Sequence, residues 1–226
     1  MFQNHRFRVA VIMLLLISTK ALLIANDTIV EIPDPSLNTV IRKHLGQPSG
    51  AINREAMESL KSLIAAGSLP RDPNRDPIPI QSFLGLEAAI NLEEIDFSGE
   101  YTGYSGLCDS CCWPSVAVSD FTPLKGLSKL EVLNLGGNGL TELTLPDTLP
   151  NLSSLILYDN RLSNLSFLEG LTGITTLSLS GHDQSHLIIP EGIDALSNLR
   201  ELWLGSCAMK KLTLPKNLKN LESLSV

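Results

Sequence analysis

Lys129 to Leu140 reads KLEVLNLGGNGL, Asn151 to Leu162 reads NLSSLILYDNRL, and Gly173 to Gly181 reads GITTLSLSG. Laid over one another, these stretches put Leu133, Leu155 and Leu177 at one position, and both steps between them are 22 residues. Working outward, NLEEIDFSG centres on Ile95, NLRELWLGSC on Leu202 and NLESLSV on Leu224, so the whole series of steps is 38, 22, 22, 25 and 22. The 38 is one period plus a 16-residue insertion, and the 25 is one period plus three. A fixed period of this size marks a solenoid, in which each unit buries its apolar face only against its neighbours.

Inside each unit the pattern is LxxLxLxxNxL. Strand side chains alternate, so the two leucines of LxL point inward and the residues between them point outward. Stacking such strands in parallel turns the inward leucines into columns. Asn138 and Asn160, five residues after the central leucine, stand where the chain leaves the strand and backbone groups lose their ladder partners, which an amide side chain can satisfy. Glu100, His182 and Cys207 hold that slot in other coils, while Asn151, Asn198 and Asn220 open their coils instead.

The phrases GLEAAINLEEIDFSG and FTPLKGLSKLEVLNLGGNGLTEL resemble the 22-residue leucine-rich repeats of internalin-type bacterial surface and secreted proteins. PDPSLNTVIRKHLGQPSGAINREAMESLKSL resembles the helical N-terminal cap that precedes those repeats. The resemblance runs from about Ile32 to Val226. It implies an α/β repeat solenoid with a parallel sheet on its concave face and a short helical cap. On the ligand it is nearly silent, because a fold does not fix a function. Two departures stand out: a Cys- and Gly-rich insertion between the first two coils, and the absence of a C-terminal cap after Leu224-Ser225-Val226.

Composition agrees with this architecture. The chain has 226 residues, 43% of them hydrophobic, and 42 are leucine while only 5% are aromatic. Its 17 basic and 24 acidic residues give a net charge of −7. No basic stripe interleaved with aromatics is present, which argues against a nucleic-acid partner.

Residues 1–25 read as an export signal, with His5, Arg6 and Arg8 in a positive n-region, Val9 to Ile17 as a short apolar stretch, and Ala25 as the cleavage residue. Uncleaved, Val9 to Ala25 would be a membrane anchor. Removing the segment takes away Arg6, Arg8 and Lys20 and no acid, leaving 14 minus 24, or −10. The expected location is therefore secreted or at the cell surface.

The cap is expected over 26–67. Asp34-Pro35 offers an N-cap followed by proline at the first helical position, and Leu37, Ile41 and Leu45 recur at helical spacing before Gly46. The periodicity predicts a second helix from Asn53 through Met57, Leu60, Leu63 and Ile64 to Gly67. Residues 68–90 form a proline-rich connector. Within it Asp72, Asn74 and Asp76 copy the opening of a calcium loop, but Pro77 takes the place of the turn glycine and Phe83 that of the bidentate glutamate, so a solvated turn is the reading. Repeats then occupy 91–226, with the insertion at 100–119.

The insertion, GEYTGYSGLCDSCCWPSVAVSD, carries Cys108, Cys111 and Cys112. Three thiols hold zinc only with a fourth ligand, and Cys207 is poorly placed to supply it. In an exported chain a disulfide of Cys108 with Cys111 or Cys112 is the leading expectation, with free thiols, metal or redox chemistry as the alternatives. His182 and His186 are spaced i, i+4 but lie in a turn and loop. No nucleophile–base set, phosphate loop or carboxylate pair is indicated, so no catalytic residue, metal or cofactor is expected.

What remains is a surface. Asp96, Asn134, Ile156, Tyr158, Glu201 and Trp203 face outward on the concave sheet, and the large groups among them (Ile156, Tyr158, Trp203) resemble interface anchors. With strands about 4.8 Å apart, Trp203 is expected within reach of the Tyr158 region. The expected function is an exported, non-enzymatic module that binds a protein or glycan. The alternative is a structural repeat fragment of a longer surface protein, since Leu221, Leu224 and Val226 are left for a cover and the free edge is expected to self-associate or fray.

Overall fold

The computed structural model describes residues 28–66, 68–70, 77–101, 112–147, 149–181, 193–205 and 212–226, with residues 100–101 and 112–113 described in their backbone alone. Seven three-residue strands form one parallel sheet: β1 Ser62–Ile64, β2 Glu94–Asp96, β5 Val132–Asn134, β6 Ser154–Ile156, β7 Thr176–Ser178, β8 Glu201–Trp203 and β9 Ser223–Ser225, in that spatial order. Between β2 and β5 the chain makes an antiparallel hairpin of β3 Glu100–Tyr101 and β4 Cys112–Trp113. The register pairs Leu63, Ile95, Leu133, Leu155, Leu177, Leu202 and Leu224 in one row. All but the last are fully buried. Phe97, Leu135, Leu157, Leu179 and Leu204 make a second buried column two residues on. On the opposite side of the coils, short 3-10 turns at Leu86–Ala88, Thr122–Leu124, Ser166–Gly170 and Ile193–Ala195 bury Leu86, Leu124, Leu168 and Ile193. The molecule is an α/β repeat solenoid, as the 22-residue period demands, and its sheet has two more strands than the five that the period guarantees.

The extra strand at the start corrects the helical reading of the cap. Helix α1 spans Pro35–Leu45: Asp34 Oδ1 accepts from the Leu37 N–H, proline stands in the first turn, and Gly46 closes the helix at φ 62°. Helix α2, Arg54–Ser59, is capped by Asn53 and stops there. Leu63, instead of continuing the helix, pairs with Ile95 in β1. The period-3.6 and period-2 readings of LKSLI both bury Leu60 and Leu63, and the exposed edge of β2 decides between them by offering ladder partners that a helix would leave unused.

Two side chains bind cap to repeats. Asp34 Oδ2 accepts from the N–H groups of Gln81 and Ser82 while its other oxygen caps α1, so one carboxylate joins helix, connector and first coil. His44, in the last turn of α1, accepts the outward Ile64 N–H on Nε2, and its Nδ1 bonds the Val40 carbonyl. The free edge of the sheet is thereby partly covered from within the chain.

The insertion is anchored, not merely appended. Its return strand places the Ser115 and Val116 N–H groups on Asn138 Oδ1 and the Ser115 hydroxyl on the Ser98 carbonyl, while Val116 bridges Ile80 of the connector. Beneath it the rings of Phe83 and Phe97 lie 5.5 Å apart, and those of Phe83 and Phe121 lie 5.6 Å apart edge to face, filling the wider first coils. The expected signal, the Asp72–Asn74–Asp76 turn, Cys108, Cys111, His182, His186 and Cys207 lie outside the described residues. Among the described residues no helix is long and apolar enough to cross a membrane.

The last coil is packed differently from the others. Leu224 is 42% exposed and Leu212, Leu214, Leu218 and Leu221 are only partly buried. Leu155→Ala should therefore cost about 2–5 kcal/mol through an enclosed cavity, and Leu224→Ala distinctly less, when both are measured by denaturant unfolding. Asp34→Ala should cost about 1–3 kcal/mol in the same assay by orphaning three backbone N–H groups. It should also speed hydrogen exchange at Gln81 and Ser82.

Candidate functional site

The sheet exposes side chains in three parallel rows. The first holds Ser62, Glu94, Val132, Ser154, Thr176, Glu201 and Ser223, and the second holds Ile64, Asp96, Asn134, Ile156, Ser178, Trp203 and Ser225. Ladder bonds from Gly99 to Gly136, Gly137 to Tyr158, Asp159 to Ser180 and Gly181 to Gly205 continue the register into a third row of Ser98, Gly136, Tyr158, Ser180 and Gly205. In a repeat solenoid this is the concave side. Asp96, Asn134, Ile156 and Trp203 thus fall in one row, with Ser178 between the last two. Glu201 sits two residues before Trp203 on the same face of β8, and Tyr158 lies in the third row.

Several of these groups are held in place by their own coils. Asp96 Oδ1 accepts from the Ser98 N–H at 3.0 Å and the Ser98 hydroxyl at 2.6 Å. Asn134 Oδ1 accepts from the Gly136 N–H at 3.0 Å. The Ser62 hydroxyl donates to Glu94. Such short-range bonds fix side chains on a rigid sheet before any ligand arrives, which lowers the ordering cost of binding.

Tyr158 departs from the expected placement. A Cβ on Gly136 would lie 2.3–2.6 Å from three atoms of the Tyr158 ring, so the ring rests on the glycine of the preceding coil. Gly136 is itself buried. The ring is therefore turned toward β5 and away from β8, and the two aromatics do not form a joint patch. Asp159, at φ 49°, packs in the other direction against Gly181, where a Cβ would clash with its carboxylate. Gly136 and Gly181 were the available sequence signals, and periodicity alone does not read them. Trp203 stands apart at 46% exposure, flanked across the strands by Ser178 and Ser225. Ile64, 40% exposed at the start of the same row, belongs to the face too and was missed because β1 was read as helix.

The face is anionic. Its three charged residues on the seven strands are Glu94, Asp96 and Glu201, with no lysine or arginine. The flanking row, traced by ladder bonds through Lys61, Glu93, Glu131, Ser153, Thr175, Arg200 and Glu222, holds two bases. Each is already paired: Lys61 with Glu93 at 2.5 Å and Arg200 with Glu222 at 3.4 Å. Hydrogen bonding and charge from Lys61 hold the exposed Glu93 carboxyl below its usual range. Glu94, Asp96, Glu131 and Glu201 are left without a cation among the described residues. No group of three His, Cys, Asp or Glu residues there is arranged to hold a metal.

No protein-family model matches the sequence, and no curated protein does. Among solved structures the fold is similar to an internalin, InlF, of Listeria monocytogenes, at TM-score 0.64 and 26% identity, over 88% of this chain and 51% of that one. The chain thus spans about half the length of that internalin. Internalin C2 of the same organism aligns over 89% of this chain and 97% of its own, at 20% identity and TM-score 0.47. The protein is a leucine-rich repeat solenoid with an internalin-like stack.

Gly136→Val should lift the Tyr158 ring off the sheet. Nitration by tetranitromethane, followed residue by residue by mass spectrometry, should then be several-fold faster at Tyr158 than in the parent chain. An unchanged rate would show that the ring does not rest on Gly136.

Proposed function

We propose that the protein is an exported, non-enzymatic recognition module that binds a protein partner through the outer face of its sheet. The observation that carries this reading is a rigid, prearranged surface with uncompensated carboxylates beside a half-exposed tryptophan. An ordinary solvated face has no need of Trp203, and a catalytic site needs convergent groups that the rows of this sheet do not assemble. The internalin-like fold supports the same reading. A protein is favoured over a glycan by charge: covering Glu94, Asp96 and Glu201 with uncharged sugar would bury carboxylates without partners, which is costly.

Export rests on the composition of residues 1–25, which would leave the module secreted or, with the segment retained, anchored at the cell surface. In this proposal the cap covers 26–67, the connector 68–90 and the repeats 91–226. The β3–β4 hairpin closes the base of the cysteine loop, which suits a local staple of Cys108 with Cys111 or Cys112 more than a metal or redox centre.

A photo-crosslinking residue placed at Ser178 should capture a protein when the full chain is incubated with extracellular fractions of its natural surroundings. The same residue at Glu169, exposed on the opposite side of the coils, should not. Capture from Glu169 alone would move the interface off the sheet.

A further inference from the structure

Strand β8 concentrates two complementary features on one face. Glu201 and Trp203 are two residues apart on an extended strand, so their Cα atoms are separated by roughly 7 Å. Trp203 is 46% exposed, more than any other aromatic side chain among the described residues. The residues around the pair are small: Thr176 and Ser178 on one side, Ser223 and Ser225 on the other, and Gly205 beyond. At Gly205 even an added Cβ would reach nothing nearer than the Ser225 hydroxyl at 3.7 Å. Arg200, the nearest base in sequence, is turned to Glu222 at 3.4 Å. Glu201 therefore has no ion-pair partner among the described residues, and no cation lies on the indole.

A carboxylate beside an accessible indole, with hydroxyls on both flanks, matches one kind of group. A guanidinium is planar, stacks on an aromatic face, and keeps donors at its rim for a carboxylate and for hydroxyls. An ammonium meets the charge but not the planar stack. A carboxylate or phosphate would meet only repulsion from a face whose four uncompensated groups are all acids. A neutral sugar would stack but leave Glu201 unpaired.

We propose that Glu201 and Trp203 form a subsite for an arginine side chain of the protein partner, with Ser178 and Ser225 as hydroxyl contacts at its rim. This deepens the reading of the sheet as a protein-binding face and rests on it. The subsite explains why the lone exposed tryptophan stands beyond a gap of small residues instead of joining Ile156 and Tyr158. The gap is the room that the arginine and its backbone occupy.

The test uses the full chain carrying Trp113→Phe, which leaves Trp203 as the only tryptophan. Its fluorescence is titrated with acetyl-Gly-Arg-Gly amide, with the Lys, Gln and Glu counterparts, and with chitotriose. The Arg peptide should give a saturable change, the Lys peptide a weaker one, and the Gln peptide a half-saturation at least five-fold higher. Glu201→Gln should weaken the Arg peptide about five-fold, and so should raising sodium chloride from 50 to 500 mM. Urea unfolding of Glu201→Gln should match the parent, which separates lost recognition from lost folding. Equal response to the Arg and Gln peptides, an unmoved Glu201→Gln titration, or tighter binding of the Glu peptide or chitotriose would overturn the subsite. Crosslinking from Ser178 at undiminished partner affinity in Glu201→Gln would sink the arginine subsite while sparing the protein-binding face. An Arg-peptide response without any Ser178 crosslink would do the reverse.

Discussion

Where each coil leaves the sheet, its carbonyls lose their ladder partners within the packed interior, and one asparagine side chain supplies what the ladder no longer does. Asn138 Nδ2 donates to the carbonyls of Phe97, Leu135 and Gly136, and its Oδ1 accepts from Ser115 and Val116. Asn160 repeats the arrangement one coil on, reaching Leu135, Leu157 and Tyr158 and accepting from Leu140. Buried polar backbone left unpaired costs more than a made bond returns, so the stack of leucines is possible only because these amides close the account at each turn. The insertion obeys the same constraint, its return strand taking the bonds that the first coil, with Glu100 in the slot, leaves open.

A second set of amides works at the other end of each strand. Asn91, Asn151, Asn198 and Asn220 each donate to a carbonyl of the preceding coil: Glu58, Ser128, Thr172 and Ser197. With both ends of every strand tied to the coil before, the three residues between them have little freedom. The outer face is therefore a stiff lattice whose side chains are exchangeable without loss of the fold. That separation lets acids and one tryptophan collect there while the leucine columns stay unaltered underneath.

Much of this was legible in the residues themselves. The 22-residue spacing placed Leu133, Leu155, Leu177 and Leu202 in one buried column, and alternation assigned Asp96, Asn134, Ile156, Glu201 and Trp203 to the outer face. Local chemistry located α1 through Asp34, Pro35 and Gly46. The end of α2 was not legible, because Leu60, Leu63 and Ile64 satisfy helical and extended periods alike. The choice fell to β2, whose edge lies thirty residues further along the chain. The direction of the Tyr158 ring was equally hidden, since it depends on a missing Cβ in a different coil.

The sequence by itself determined the period, the inward and outward alternation and the acidity of the face, because each depends on residue types at short, regular separations. The tertiary structure alone decided which neighbours meet across coils: Asp34 with Gln81 and Ser82, His44 with Ile64, Tyr158 with Gly136, and Asn138 with the return of the insertion. These contacts join residues about 20 to 50 positions apart, and their geometry follows from how the coils stack, which no single repeat contains.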